Sequence, residues 1–523
     1  MTAAADLPRR LSALDASFLY FERPTQPMHV ASAITFENRL DYERVVNDLG
    51  ARLHLVPRYT ERVMGVPFGL AHPTWEPDPD FDIRAHVQHR SLRAPGSDEQ
   101  LAELCAALYA QPLDRSRPLW EVYVVDGYRG SGVAFRKPAD GGPRLEPCGA
   151  ARSALFVKVH HCMIDGVSGV QLMGVLLDTA PNPPPIPGAG GRRTAPLPGA
   201  AHRLLDALVD RLRIGLRRGV SAIELLARPA YAVGELRQTT DAVSHLLRTL
   251  VTAAPRTPFN GRLGIARNLA WATFSLNEAK AIKNRLGGSM NDVVLAVISG
   301  AMRRVLAERG MSPERIELRA AIPVNVRGSH EHLKLGNQIS MMVAPLPVGI
   351  LDPVERLRQV RAATALLKAG DESGKAQRLV QLIELLPPPV HRLFGRAPSL
   401  AVPVNTICTN VPGPPVSLYM QGVRVDRMAP FVPLADPIGL AFAILSYADT
   451  LTISATADAA LAPDLREVVA PLYASFEELW AATGLSRVAH AEPVKPERQR
   501  RRAPITVGGG PVVEVVGSPL PGA

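Results

Sequence analysis

The chain has 523 residues, of which 46% are hydrophobic, and a formal net charge of +10 at pH 7. This length exceeds one ordinary core, so two domains are expected, and the hydrophobic share suits a soluble protein with a well-filled interior. The basic charge would suit an anionic ligand, a membrane surface or nucleic acid. Because the basic residues are scattered and no nucleic-acid motif accompanies them, we expect no nucleic-acid partner.

Cysteine spacing and the first residues of the chain indicate the compartment. The N-terminal segment 1–10 lacks a basic start followed by an apolar core, so no secretory signal is evident. No run of about 18 uncharged apolar residues occurs, so any membrane association is expected to be peripheral. Four widely spaced cysteines without a CxxC pair fit a reducing cytoplasm, without structural zinc or disulfides: Cys105, Cys148, Cys162 and Cys408.

The first part of the chain mixes strand-like and helix-like segments. Residues 30–36 are predicted to form a strand, 98–109 a helix and 155–159 a short buried strand. The Gly-, Pro- and Arg-rich stretch 129–153 is predicted to be a surface loop insertion.

Two histidines stand where the strand at 155–159 ends. His160 and His161 are followed by Asp165 and Gly166, where the chain turns, and then by helical apolar spacing. An imidazole titrates near neutrality, so it can take a proton from a hydroxyl and later return it. An alcohol that attacks an acyl carbonyl needs this chemistry.

A linker and a long helical stretch come next. Residues 181–199 are rich in Pro, Gly and Arg, and 200–253 has leucines every four residues. Such a basic amphipathic helix could lie on a lipid surface. The alternative is a crossover helix packed against the body of the protein. The arginines around the leucines, which would then face water, are Arg203, Arg211, Arg213, Arg217 and Arg218.

A second α/β unit is predicted from about 260 to 484. It contains a strand at 269–274, a helix at 291–309 and a strand at 451–457. The basic tail that follows is predicted to be disordered.

Several motifs, in a fixed order, together resemble a known family. The segment 160–166 reads HHCMIDG and matches the HHxxxDG motif of the CoA-dependent acyltransferases, which include chloramphenicol acetyltransferase and peptide-synthetase condensation domains. The remaining motifs are similar to those of the bacterial wax ester synthase/diacylglycerol acyltransferase family. They lie at 11–18 and 27–30, 118–121, 291–296, 322–327 and 335–337, and 409–414.

The resemblance implies an α/β fold of two chloramphenicol-acetyltransferase-like sandwich domains with the active-site channel between them. The expected N-terminal domain, 1–181, carries HHxxxDG. A linker and crossover helix occupy 182–259, the C-terminal domain 260–484 and a disordered tail 485–523.

The resemblance also implies an O-acyltransferase that moves a long-chain acyl group from acyl-CoA to diacylglycerol, making triacylglycerol, or to a fatty alcohol, making a wax ester. Acyl-CoA is then a co-substrate, with no cofactor and no metal. The composition suggests an actinobacterial source, which favours diacylglycerol. The implied location is the cytoplasm, with peripheral contact at the inner membrane face or lipid droplets. Two alternatives stay open: acyl transfer to a polyketide or glycolipid hydroxyl, and a non-catalytic lipid-binding protein.

The same resemblance suggests roles for the motif residues. His161 would be the general base, a role worth about 10²–10⁴-fold. His160 would point to the opposite face of the strand and support the site. Asp165 would pair with an arginine, for which Arg327 is a candidate, and Gly166 would allow a backbone conformation or a close approach that a side chain blocks.

Two further residues have alternative roles. Asn291 could donate a hydrogen bond to the tetrahedral intermediate, or Asn291 and Asp292 could cap a helix N-terminus. Both could hold at once. Cys162 is a possible thiol nucleophile, but neighbouring strand residues face opposite ways, so His161 could not readily activate it.

Overall fold

Two mixed β-sheets organise the chain. The computed structural model describes residues 9–130, 150–164, 173, 176–184, 196–212, 254–325, 339–369, 388–391 and 404–487. The strands are β1 His29–Phe36, β2 Glu61–Met64, β3 Thr74–Pro77, β4 Val87–Ser91, β5 Trp120–Tyr128, β6 Arg152–His160, β7 Arg267–Ser275, β8 Leu318–Asn325, β9 Ile339–Leu346, β10 Thr406–Pro412, β11 Tyr419–Met420, β12 Val423–Phe431, β13 Leu440–Tyr447 and β14 Thr450–Asp458.

Helices cover parts of both sheets. They are α1 Ala13–Phe21, α2 Tyr42–Arg52, α3 Asp98–Tyr109, α4 Leu276–Leu286, α5 Met290–Glu308, α6 Pro353–Ala369 and α7 Arg466–Ala482. None of the helices in the described ranges has the length and apolar character needed to cross a bilayer.

The first sheet has the strand order β11-β12-β1-β6-β5-β4. Strand β1 is antiparallel to β6, with His29 opposite His160, and is antiparallel to β12 on its other side. Two strands from the C-terminal half of the sequence therefore complete a sheet that otherwise comes from the first 160 residues.

Alternation along β6 divides its side chains between two environments. Val157 and Val159 belong to the core that includes residues of α1 and α2, whereas Ala154 and Phe156 belong to the core that includes residues of α3. Because successive side chains on a strand point to opposite faces, this alternation also sends the two histidines at its end in different directions.

The second sheet has the order β7-β14-β13-β10-β8-β9. Its core is shared with α4, α5, α6 and α7 and is almost wholly apolar. Helix α5 crosses α7 closely at Gly300, where a Cβ would lie 2.2 Å from Ser475 Oγ and 2.6 Å from Arg356 Nη2. Only glycine leaves room for this approach.

A buried ion pair links the second sheet to the N-terminal segment. Arg267 Nη1 lies 3.1 Å from Asp458 Oδ2, and both side chains are buried. The same guanidinium donates to the carbonyl of Thr25. The Gln26 side chain accepts a hydrogen bond from the backbone N–H of Asp436. The described residues 9–483 accordingly belong to one compact unit, and the predicted domain boundaries stay a prediction.

Several local predictions are confirmed. Helix α3 has the predicted bounds, and α5 begins one residue earlier than predicted and ends one residue earlier. Strand β6 begins at Arg152, three residues before the predicted start. Most of the predicted loop insertion (131–149) and the tail beyond 487 lie outside the described residues, as does the larger part of the predicted crossover helix.

The described part of that helix, 200–212, contacts the body of the protein along one side. Ala207 is its fully buried residue, in contact with Val66 and Ala71. Leu208 and Leu212, from the stripe that packing would bury, are exposed. Leu204, from the same stripe, is half-buried, so the described residues leave both the lipid-surface and the packed alternative open.

Candidate active site

An apolar cavity of about 460 Å³ lies between the two sheets. Helix α1 contributes to its wall, together with strands of the first sheet on one side and of the second on the other. The hydroxyls of Ser17 and Thr409 and the ring of His161 are among its few polar groups. Representative wall residues are Phe18, Val157, Val159, Ile407, Val411 and Leu445.

His161 reaches this cavity because of the way β6 ends. Its backbone N–H donates to the carbonyl of Met28 at 2.8 Å, and the N–H of Met163 turns back to the carbonyl of His160 at 2.9 Å. The His161 side chain therefore continues the row of Val157 and Val159 into the cavity wall. Its ring is stacked on that of Phe18, with centroids 4.0 Å apart and planes 8° from parallel.

His160 faces the other way and is fully buried. Its Nδ1 accepts the backbone N–H of Cys162 at 3.1 Å, and its Nε2 lies 3.4 Å from Glu22 Oε1. Burial lowers the pKa of His160, against the opposing effect of Glu22. A neutral ring with its proton on Nε2 suits both contacts, so His160 braces the turn that presents His161.

Glu22 is the acidic partner in this arrangement. Burial raises its pKa, but hydrogen bonds with His160 and Arg115 and the charge of Arg115 outweigh burial and lower the pKa of Glu22. Arg115 donates to Glu22 Oε2 from Nη2 at 2.6 Å and from Nε at 3.0 Å. Glu22 is therefore a carboxylate at neutral pH.

A second layer of buried polar groups lies on the α3 side of the sheet. His29 Nε2 contacts the carbonyl of Tyr109 at 2.7 Å, and the pKa of His29 is lowered to about 3 by burial and then by Lys158. Lys158 Nζ bonds the carbonyls of Leu108 and Gln111 and lies 2.8 Å from Glu121. The ammonium group therefore satisfies carbonyls at the end of α3, where a cation is favourable.

Asn291 lies near the start of α5, next to Asn410. Asn410 Nδ2 is 3.5 Å from Asn291 Oδ1. Asn410 lies on β10 between Thr409 and Val411, which both line the cavity. Asn291 is not among the described residues that line the cavity, so its proposed contact with the intermediate stays a prediction.

The predicted cap at Asn291–Asp292 needs correction. The N-cap of α5 is Ser289, whose hydroxyl accepts the N–H of Asp292, while Asp292 accepts the N–H of Ser289 at 2.7 Å. This reciprocal pair is a capping box, in which Asp292 occupies the third helical position. Asp165, Gly166 and the candidate partner Arg327 lie outside the described residues.

Cys162 is buried in the core beside α1. Burial raises the pKa of its thiol, so the group is protonated at neutral pH. The described residues include no group of three His, Cys, Asp or Glu side chains arranged to hold a metal ion.

Phe18 and Glu22 were not identified from the sequence as site residues. They are four residues apart, at one end of α1, and the α1 segment itself belongs to the N-terminal motif. Helical spacing could have placed them on one face, but it does not reveal which distant strand end that face contacts.

Comparisons with known proteins identify the family of the chain. A model of the wax ester synthase/diacylglycerol acyltransferase catalytic domain matches residues 11–136 and 147–294, and a model of the WS/DGAT C-terminal domain matches 335–480. A Mycobacterium tuberculosis (strain CDC 1551 / Oshkosh) protein, named as a diacylglycerol O-acyltransferase, is 32% identical over 476 residues, which cover 87% of each chain.

Two solved structures share the fold. One is the wax ester synthase/diacylglycerol acyltransferase from Marinobacter aquaeolei VT8, with a TM-score of 0.62, 23% identity and coverage of 91% of this chain and 100% of that one. The other is the first condensation domain of the calcium-dependent antibiotic synthetase, with a TM-score of 0.56, 13% identity and coverage of 91% and 96%. They confirm the predicted fold class. The two matched domain models and the extent of the sequence identity show that the chain is an acyltransferase of the wax ester synthase/diacylglycerol acyltransferase family.

Proposed function

We propose that the enzyme transfers a long-chain acyl group from acyl-CoA to the free hydroxyl of diacylglycerol, producing triacylglycerol and CoA. The position of the His161 ring in the wall of the apolar cavity carries this proposal. The wall can hold aliphatic chains away from water, and the imidazole is the titratable group among the described residues of that wall.

In the proposed reaction, His161 removes the proton from the acceptor hydroxyl while its oxygen attacks the thioester carbonyl. The tetrahedral intermediate collapses with cleavage of the carbon–sulfur bond, and the CoA thiolate takes the proton from His161. Transfer is direct, because the Cys162 thiol is buried and protonated and so is unsuited to form an acyl-enzyme.

The choice of acceptor rests on the relatives. The M. tuberculosis relative is named for transfer to diacylglycerol, whereas the family name also includes wax ester synthesis. We therefore propose diacylglycerol as the main acceptor and a long-chain alcohol as a second one.

Free thiol released from palmitoyl-CoA, measured with diolein, hexadecanol or no acceptor, tests this function. We expect acceptor-dependent thiol release that falls by about 10²-fold or more in His161→Ala, with the fold checked by circular dichroism. His54→Ala, at an exposed position in the first part of the chain, is the control. No thiol release by the wild type, or full activity in His161→Ala, would overturn the proposal. A strong preference for carrier-bound acyl groups would favour the polyketide or glycolipid alternative.

We also propose that the enzyme works at a lipid surface, through an apolar patch formed by Phe68 and by Leu205, Leu208 and Leu212. Phe68 is 86% exposed on the turn between β2 and β3, and Leu212 is 66% exposed. The helix and the turn that carry these residues pack together, since Ala207 shares a buried cluster with Val66 and Ala71, which flank that turn. Large apolar side chains exposed together mark an interaction surface.

The position of the patch supports a lipid partner. Arg211, beside Leu212, donates to the carbonyl of Leu70 at 2.7 Å, and His72 Nδ1 in the same loop lies 3.1 Å from the Tyr20 hydroxyl of α1. Helix α1 lines the cavity through Phe18 and Phe21. A membrane bound at the patch would therefore lie near α1, the helix that lines the apolar cavity.

Co-sedimentation with anionic liposomes tests the patch. We expect the double variant Phe68→Ser/Leu212→Ser to bind vesicles more weakly than the wild type, because exposed apolar area drives interfacial binding. Leu351→Ser, at a comparably exposed leucine elsewhere, should not change vesicle binding. Equal loss in both variants, or no loss in either, would contradict this proposal, as would a patch-dependent change of oligomeric state without vesicle binding.

A further inference from the structure

Glu22 lies at the C-cap of α1 with a side chain only 7% exposed, and it bonds three separate segments. Its Oε1 accepts the backbone N–H of Met28 at 3.2 Å and lies 3.4 Å from His160 Nε2. Its Oε2 accepts two hydrogen bonds from Arg115, which also donates to the carbonyl of Leu19 at 2.8 Å.

Two of these segments, and the helix that carries Glu22, also contact His161 or its neighbours. The carbonyl of Met28, the residue whose N–H binds Glu22, accepts the N–H of His161. The ring of His160, the residue before His161, accepts the backbone N–H of Cys162, the residue after it. The backbone N–H of Glu22 itself bonds the carbonyl of Phe18, whose ring is stacked on His161.

The contacts place Glu22 behind the site and not in it. Glu22 is absent from the described cavity wall and contacts His160, not His161. Its carboxylate therefore has no route to the substrate hydroxyl in this arrangement. Glu22 is linked through His160 to the backbone on both sides of His161. It is also linked through the Phe18 carbonyl to the residue whose ring is stacked on His161.

We propose that Glu22 is a positioning residue for the proposed acyl transfer: its Oε1 atom, by holding Met28 and His160 together, sets the position of the His161 ring in the cavity. The role rests on the function proposed above. Removing the carboxylate takes away the acceptor of the buried Met28 N–H and the oxygen 3.4 Å from His160 Nε2. The β1 start and the β6 end can then shift, and a displacement of about 1 Å at a reacting group costs on the order of 10²-fold in rate.

Steady-state kinetics on Glu22→Ala and Glu22→Gln test the proposal. In Glu22→Ala we expect kcat to fall about 10- to 100-fold, with the KM for palmitoyl-CoA within about twofold, because the geometry of the base changes while the wall of the cavity does not. Glu22→Gln keeps an amide oxygen that can accept at the Oε1 position, although its NH2 group loses the two hydrogen bonds that Oε2 accepts from Arg115. We expect it to recover kcat to within about fivefold of wild type, since a neutral acceptor gives up about 1 kcal/mol.

Glu43→Ala is the matched control. Glu43 also forms a paired hydrogen bond with an arginine, Arg84, but on the exposed side of α2, and its removal should leave kcat and KM unchanged. If Glu22→Ala does not yield folded protein, Glu22→Met fills a similar volume without an acceptor and gives the same comparison with Glu22→Gln.

Three results would overturn the proposal while leaving the proposed function intact: wild-type kcat in folded Glu22→Ala or Glu22→Met, a loss that Glu22→Gln does not recover, or a loss confined to KM. An inactive wild type would instead count against the function itself.

Discussion

The ring of Phe18 lies face to face with the ring of His161, 4.0 Å between centroids and 8° from parallel. The stack orients the imidazole, and the turn after β6 fixes the His161 backbone through its hydrogen bond to Met28. It also places the base beside α1, the helix that forms part of the wall for the acyl chain.

Replacing Phe18 by alanine should therefore slow the reaction. An aromatic pair of this kind contributes about 0.5–1.5 kcal/mol beyond its buried area. If that energy keeps the imidazole in its reactive position, kcat should fall about 2- to 13-fold. Phe21→Ala, in the same helix and the same cavity wall, is the comparison for lost wall area alone. If kcat fell equally in the two variants, the stacking of Phe18 on His161 would not account for the loss.

A second prediction concerns the crossing of α5 and α7. Gly300→Ala gains about 1 kcal/mol of helix propensity, but its Cβ would lie 2.2 Å from Ser475 Oγ. Because overpacking a core costs about 1–3 kcal/mol or more, we expect a lower Tm in thermal denaturation and an unchanged KM. Gly65→Ala has no atom within 4 Å of the new Cβ and should keep the wild-type Tm. A Gly300→Ala protein as stable as wild type would show that the helices separate without cost.

A third prediction concerns acid stability and His29. The pKa of His29 falls from its ordinary 6.5 to about 3 in the folded protein, because burial disfavours the charged ring and Lys158 adds to the effect. The unfolded chain binds a proton at this site below pH 6.5 and the folded chain does not. Its stabilising contribution is therefore complete above pH 6.5 and is lost as the pH falls toward 3.

Urea unfolding at pH 7 and pH 4.5 measures this effect. Between these values the wild type should lose about 3 kcal/mol through His29, in addition to losses from other groups such as Glu22 and His160. His29→Gln keeps a donor for the Tyr109 carbonyl without a titrating ring, so it should lose about 3 kcal/mol less over the same interval. His54→Gln, at an exposed site, should follow the wild type, and identical pH dependence in His29→Gln would contradict the prediction.

The fourth prediction addresses Cys162. Because its thiol is buried and its pKa is raised by burial, Cys162→Ala should keep kcat within about threefold of wild type, since the proposed reaction does not use the thiol and only a small core volume is lost. An acyl-cysteine mechanism requires instead that this variant be inactive. Mass spectrometry of the enzyme incubated with palmitoyl-CoA alone provides the independent measurement, and we expect no covalent acyl adduct.

Local patterns in the sequence predicted much of the fold. The run of β-branched and aromatic residues at 155–159 predicted β6, and strand geometry then predicted the opposite orientation of the two histidines. The predicted bounds of α3 are confirmed, and the structure shows that a capping box of Ser97 and Gln100 fixes its start. The same pattern at Ser289 and Asp292 precedes α5, and it was available in the sequence although the cap was assigned to the wrong residue.

Long-range partners were not predictable in this way. Residues 423–431 have a strand pattern, but the alternation of their side chains does not predict that β1 is the neighbouring strand. Glu22 and Phe18 acquire their roles only when α1 meets the end of β6. The leucines at 208 and 212 fit a buried stripe equally well, and their exposure follows from Ala207 being small enough to make the close contact.

The pairing of β12 with β1 has a consequence for biosynthesis. The side chains of Thr35 and Asp426 are hydrogen-bonded although 391 residues separate them in sequence, so a ribosome must translate most of the messenger RNA before β1 can gain this neighbour. Until then one border of β1 is open to pairing with other polypeptides. Expression of the first half alone should therefore give aggregation, and supplying residues 404–487 on a second polypeptide offers a direct way to rescue it.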